Sequence, residues 1–88
     1  MGLCEHLLAV GDVEPEPASK DGCVTCLAAG RTDWVHLRLC LACGYVGCCD
    51  SSPGRHASGH FATVGHPVVR SFEDGEDWRW CYADEALG

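Results

Sequence analysis

The stretch from Cys40 to His66, CLACGYVGCCDSSPGRHASGHFATVGH, constrains this chain more than any other. It places four cysteines (Cys40, Cys43, Cys48, Cys49) and three histidines (His56, His60, His66) within 27 residues. Cys40 and Cys43 form a C-x-x-C knuckle, a spacing that lets two sulfurs reach one ion at about 2.3 Å. Imidazoles from a following helix can complete the tetrahedron, so the stretch reads as a zinc cluster. A second knuckle, Cys23-Val24-Thr25-Cys26, lies upstream, and the two together read C-x2-C-x13-C-x2-C, close to a zinc-ribbon spacing. A redox reading of Cys23 and Cys26 needs a strand-to-helix junction in a βαβ unit, and Ala28-Ala29-Gly30 supplies no such helix.

Size pushes in the same direction. A chain of 88 residues is read as one domain, residues 1–88, near the length at which an apolar core alone is marginal. The eight cysteines would also suit the disulfides of a small secreted domain. Against that, Met1-Gly2-Leu3 opens with neither the basic nor the apolar run of a signal peptide, and His6 breaks the myristoylation pattern. A reducing, cytoplasmic setting is therefore expected, where such cysteine spacing means metal. No stretch approaches a membrane span. The net charge of −7 with histidine neutral repels phosphate backbones, which argues against nucleic acid as a partner. A monomer without nucleic-acid or membrane partners is expected.

Taken in order, Cys4-Glu5-His6 is a C-x-H pair followed by the apolar Leu7, Leu8, Ala9 and Val10. Asp12 to Gly22 is acidic, proline-rich and without periodicity, so it reads as a loop. Trp34 to Cys40 alternates, with Val35, Leu37 and Leu39 on one face and Trp34, His36 and Arg38 on the other, as in a half-buried strand. His36, without a ligand-spaced partner, reads as a surface residue. Gly44 to Cys48 reads as a second short strand. Ser51 or Ser52 before Pro53 predicts a helix start, with a hydroxyl cap and proline at the first helical position. That helix carries His56 and His60 on one face and ends near Gly65. Residues 66–72 read as a strand, Glu73-Asp74-Gly75-Glu76 as a hairpin turn, and residues 77–82 as the return strand with Trp78, Trp80 and Tyr82 on one face. Three alternating aromatics exceed what so short a chain buries easily, so a partner-binding surface is expected there.

The order C-x-H, C-x-x-C, Trp, C-L-x-C-G-x-V-G-C, H-x3-H, G-H-P and W-C-Y resembles the UBP-type zinc finger, a ubiquitin-binding module of deubiquitinases and histone deacetylases. The likeness spans essentially the whole chain, and Cys48 to Pro53 is most similar to small stand-alone prokaryotic members. The resemblance implies an α+β domain, a twisted antiparallel sheet with one or two short helices, stabilised by up to three interleaved zinc sites. It puts Cys23, Cys26, Cys48 and His56 on one ion and Cys40, Cys43, His60 and His66 on a second. Spacing alone equally allows His56 and His60, at i and i+4, to share one ion. The family's third site joins the N-terminal C-x-H to a W-C-x-x-C pair, which here supplies Cys4, His6 and Cys81, with Asp84 where the pattern has cysteine. Aspartate is a competent zinc ligand. The twelve donors match three Zn2+ ions, and two at minimum if Asp84 does not bind. Cys49 is the thiol left over.

No catalytic residues are expected, because the full ligand sets look closed and no deaminase-like H-x-E with P-C-x-x-C is present. The function read from the chain is zinc binding and non-catalytic recognition of a protein or a peptide C-terminal tail. A metal-buffering or redox-responsive zinc-thiolate protein is the alternative. In the family the tail sits among aromatic side chains, whose counterparts here are Trp34, Trp80 and Tyr82, beside an arginine that follows C-G. Here C-G-R becomes Cys48-Cys49-Asp50. The exchange removes a charge-assisted hydrogen bond worth about 1.5 to 3 kcal/mol, so ubiquitin affinity is expected to be weak or absent.

Overall fold

The computed structural model describes residues 4–11 and 14–88. Positions 1–3 of the opening segment and 12–13 of the expected loop lie outside the described residues. Five strands form one antiparallel sheet in the order β2-β1-β3-β4-β5, with β1 at Leu37–Cys40, β2 at Val46–Cys48, β3 at Val68–Ser71, β4 at Arg79–Cys81 and β5 at Ala86–Leu87. Three short helices, α1 (Glu5–Val10), α2 (Val24–Ala28) and α3 (His56–Val64), pack on it. The sequence pattern signalled only α3.

Register decides which side chains share a face. Arg38 lies opposite both Gly47 on β2 and Ser71 on β3, Val69 opposite Trp80, and Trp80 opposite Leu87. Since cross-strand partners project to the same side, Arg38, Val69, Ser71, Trp80 and Leu87 line one face. Leu37, Leu39, Val46, Cys48, Val68 and Cys81 belong to the other. There Leu39, Val46, Val68 and Cys81 join Leu41 in the core, with Leu7 and Val10 of α1 packed against them. α3 covers the first face at β2. A Cβ on Gly47 would sit 2.7 Å from the Ala57 nitrogen and 2.7 Å from the Tyr45 ring, so only glycine lets the helix approach this closely.

Loops are tied down by polar groups. Glu14 pairs with Arg70 at 2.9 Å and Arg79 at 3.6 Å, and Ala18 donates its N–H to the Gly44 carbonyl at 2.8 Å, laying the acidic loop over the first-strand turn. Gly44 has φ 85°, and a side chain there would collide with the Glu16 carbonyl. The 73–76 turn forms as expected around Gly75 at φ 80°, and its Glu73 carboxylate accepts the Leu37 N–H at 2.8 Å.

Expected boundaries move: β2, β3 and β4 are each shorter than the runs expected at 44–48, 66–72 and 77–82, and two shifts have a visible cause. β1 begins at Leu37 rather than Trp34; Val35 is 51 % exposed, and its N–H donates to the Ser52 hydroxyl at 2.7 Å. That same hydroxyl is therefore not the helix cap. α3 starts at His56, after Arg55 in the left-handed region at φ 47°, with no side-chain cap. The His56 N–H donates instead to the Cys48 sulfur at 3.2 Å. A sulfur acceptor thus takes the place of the expected hydroxyl, and the same contact brings His56 to Cys48.

Candidate metal centres and an adjoining aromatic pocket

The second knuckle folds into α2, contrary to the expected absence of a helix after it. Cys23 is its N-cap, and its sulfur accepts the Cys26 N–H at 3.4 Å. Both sulfurs thus face Cys48 on edge strand β2. The Nδ1 of His56 lies 3.2 Å from Cys23 Sγ, 3.2 Å from Cys26 Sγ and 3.3 Å from Cys48 Sγ. A ring nitrogen has one proton or one lone pair, so it cannot bond three sulfurs at once. Those separations instead approach the tetrahedral edges, about 3.5 Å for S to N and 3.8 Å for S to S, that follow from ligand bonds of about 2.3 and 2.05 Å. Burial, then the neighbouring sulfurs of Cys23 and Cys48, push the Cys26 thiol up to about 12. A central dication reverses that effect, since a coordinating thiol is deprotonated outright. The donor set fits a metal ion.

Cys40, Cys43, His60 and His66 make the second group. Cys43 Sγ lies 3.6 Å from Cys40 Sγ and 3.3 Å from His60 Nε2, and Cys40 Sγ lies 3.6 Å from His66 Nδ1. The Tyr45 ring stacks on His60 at 4.3 Å and 9°, orienting it. Burial, then His66, lowers the His60 pKa, which favours the neutral imidazole a metal requires. His56 and His60 therefore fall into different groups although they are neighbours on one helical face. The register explains it. Cys40 lies on the α3 side of the sheet and Cys48 on the other, and His56 reaches Cys48 around the edge of β2.

Cys4, His6, Cys81 and Asp84 make the third. Asp84 Oδ2 accepts from the Cys4 thiol at 2.9 Å and lies 3.1 Å from His6 Nδ1, which is 3.6 Å from Cys81 Sγ. Cys4 and then His6 hold the Asp84 carboxyl below its ordinary value. Unlike the first group, this one is open: the side chains of His6 and Asp84 are 45 % and 47 % exposed. Each of the three groups brings four donor atoms within 4.8 Å of one another. Cys49 joins none; it is buried, with its sulfur 3.6 Å from the Ser52 hydroxyl.

On the α3 face lies a pocket of about 300 Å³ lined by His36, Arg38, Asp50, Trp78, Trp80 and Tyr82 among others. Alternation through β4 and the residues on either side of it brings Trp78, Trp80 and Tyr82 together here, and Phe61 of α3 stacks on Tyr82 at 5.5 Å. Trp34 lies apart from them, packed over Gly22 and against the Cys23, Cys26 and Cys48 cluster. The Arg38 guanidinium stands 4.5 Å from the Trp78 ring centroid, a cation–π distance. The alternation already placed Arg38 and His36 on the same strand face, and the turn after β2 adds Asp50 to the same opening. Burial, then the nearby Asp50 charge, raises the Tyr82 phenol to about 12, with Arg38 opposing.

No curated protein sequence matches the chain. A solution NMR structure of a protein from Rhodopseudomonas palustris is similar to it, with 44 % identity and a TM-score of 0.84 over 99 % of this chain and 81 % of that one. Residues 23–87 match the family described as the Zn-finger in ubiquitin-hydrolases and other proteins. With the cross-braced cysteine and histidine groups around one antiparallel sheet, that match places this chain in the UBP-type zinc-finger family.

Proposed function

We propose that the chain is a zinc-structured, non-catalytic module that recognises a protein or peptide at the pocket of Trp78, Trp80 and Tyr82. Three zinc ions, one per donor group, are its cofactors. The observation that carries the reading is the placement of three large aromatic side chains, Trp80 of β4 and the flanking Trp78 and Tyr82, half-buried at an open pocket rather than in the core. Large apolar surface left open on a small protein marks a binding site. The absence of catalysis follows from the donor counts: four ligands fill a tetrahedral ion, and a catalytic zinc keeps one position for water. Ubiquitin itself is a poor fit, because Asp50 stands in the pocket where the family pattern has arginine. The setting proposed is the cytoplasm and the working form a monomer.

Titration of the zinc-loaded chain with ubiquitin and with short peptides ending in Gly-Gly, followed by NMR, tests this. The indole signals of Trp78 and Trp80 should shift while that of Trp34 stays. Ubiquitin should dissociate more weakly than about 100 μM, roughly 5.5 kcal/mol of binding, and Asp50→Arg should strengthen it. Shifts confined to Trp34, or none with any of these probes, would overturn the reading. Native mass spectrometry should find three zinc ions, or two if Asp84 does not bind; one or none is incompatible with it.

A further inference from the structure

The first and second donor groups share no residue, yet one side chain that belongs to neither touches both. The Tyr45 hydroxyl lies 2.6 Å from the hydroxyl of Thr25, which sits in α2 between the donors Cys23 and Cys26. Among the described residues neither hydroxyl has another hydrogen-bond partner. The Tyr45 ring stacks on His60 of the second group at 4.3 Å and 9°. Its backbone carbonyl accepts the N–H of Cys40, another donor of that group, at 2.8 Å. Gly47 confines the ring from the sheet, since a Cβ there would come 2.7 Å from it. One residue is thus fixed at its hydroxyl by the segment that carries two donors of the first group, and at its ring and backbone by two donors of the second.

Residues that orient a metal-binding histidine from outside the ligand set matter to the ion, and their loss typically lowers metal affinity by about 10- to 100-fold. Here the residue that orients His60 is itself held by the other group's helix. When the first group is closed, α2 is ordered, Thr25 is in place and Tyr45 has its hydroxyl anchored. His60 then meets a ring already set for it, and a pre-ordered donor loses less entropy on binding. Linkage makes the effect reciprocal, so an ion at the second group favours one at the first by the same factor. We propose that Tyr45 is a positioning residue that couples zinc binding at the Cys23, Cys26, Cys48 and His56 group to zinc binding at the Cys40, Cys43, His60 and His66 group through its bond to Thr25. This assignment rests on the reading of both groups as zinc sites.

Stepwise chelation of the zinc-loaded chain, followed by nitrogen NMR of the histidine rings, tests it. His56 reports on the first group, His60 and His66 on the second, and His6 on the third. Thr25→Val leaves every donor in place and changes an exposed position. It should nonetheless release the second group at about fivefold less chelator, the scale of one neutral hydrogen bond, with the His6 midpoint unmoved. Tyr45→Phe, which keeps a ring on His60, should match it, and the double variant should shift no further than either single one. Tyr45→Leu, which loses the stack as well, should shift His60 and His66 by about tenfold or more. Unmoved His60 and His66 midpoints in Thr25→Val and Tyr45→Phe overturn the coupling. A shift confined to His56, or shared in full by His6, marks local or general destabilisation and overturns it as well. Histidine signals that never respond to chelator remove the zinc reading and the assignment together.

Discussion

The groups centred on Cys48 and on Asp84 offer the same number of donors and differ in almost everything else. Cys23, Cys26 and Cys48 are at most 1 % exposed, and with His56 they join α2, an edge strand and α3. The outer donors tie α1 to the turn after β4, with His6 and Asp84 nearly half exposed. α1 has six residues, buries none completely and lacks a side-chain cap, and a helix that short is not stable by itself. The contrast teaches that a zinc ligand set acts on what it connects. The inner set holds the sheet's edge between two helices, and the outer set clips a marginal segment onto a sheet that is already formed.

The hardest test of that contrast is to break each set in turn. Cys48→Ser should unfold the whole chain, since structural zinc supplies roughly 10 to 16 kcal/mol of apparent binding energy per site and small domains have about 5 to 15 kcal/mol of stability in all. Loss of amide dispersion by NMR would show it, and a dispersed, native-like spectrum would contradict it. Gradual chelation should come next in effect. The outer ion should leave first, collapsing the dispersion of residues 4–11 while β1 to β3 and α3 persist; simultaneous loss of all ions would erase the distinction. Acid should follow the same order, because bound thiolate and imidazole must stay deprotonated and protons displace zinc as pH falls. Asp84→Cys should close the gap between the sets and raise outer-site zinc affinity tenfold or more in chelator competition. Packing substitutions sharpen the comparison at smaller scale. Gly47→Ala, which forces a methyl against the α3 backbone, should cost about 1 to 3 kcal/mol in denaturant unfolding. Leu8→Ala on the 62 % exposed face of α1 should change stability by less than about 0.5 kcal/mol. A large effect there would mean that α1 packs on something through Leu8.

Much of the site was legible because metal donors are chemically distinctive and closely spaced. Cys23, Cys26, Cys40, Cys43, His56 and His60 stand out from C-x-x-C and H-x3-H spacing alone, whereas Cys48 rather than Cys49, His66 and the Cys4, His6, Cys81 and Asp84 set came from the family resemblance. β1 and β4 were legible from alternation, and β5, with two residues, carries no pattern. Helices α1 and α2 were not, because five or six residues are too few to show a 3.6-residue period. Their backbone follows the direction in which Cys4, His6, Cys23 and Cys26 must point.

The chain alone thus determined that the Cys and His residues cluster at metal-ligand spacing and that three alternating aromatics share a face, since each depends only on residue type and local period; the family resemblance implied the full donor sets. Pairing was decided by tertiary structure. His56 and His60 are equivalent on a helical wheel, and only the placement of β2 at the sheet's edge sends one imidazole around to Cys48 and leaves the other beside Cys40. The polarity of the pocket was decided in the same way. Arg38 and Asp50 belong to different elements, and only the pairing of β1 with β2 and β3, and the turn that follows β2, sets them at one opening. Spacing along a chain fixes neighbours within one element, whereas contacts between elements depend on which strands lie side by side, here β1 between β2 and β3, which spacing within one element does not specify.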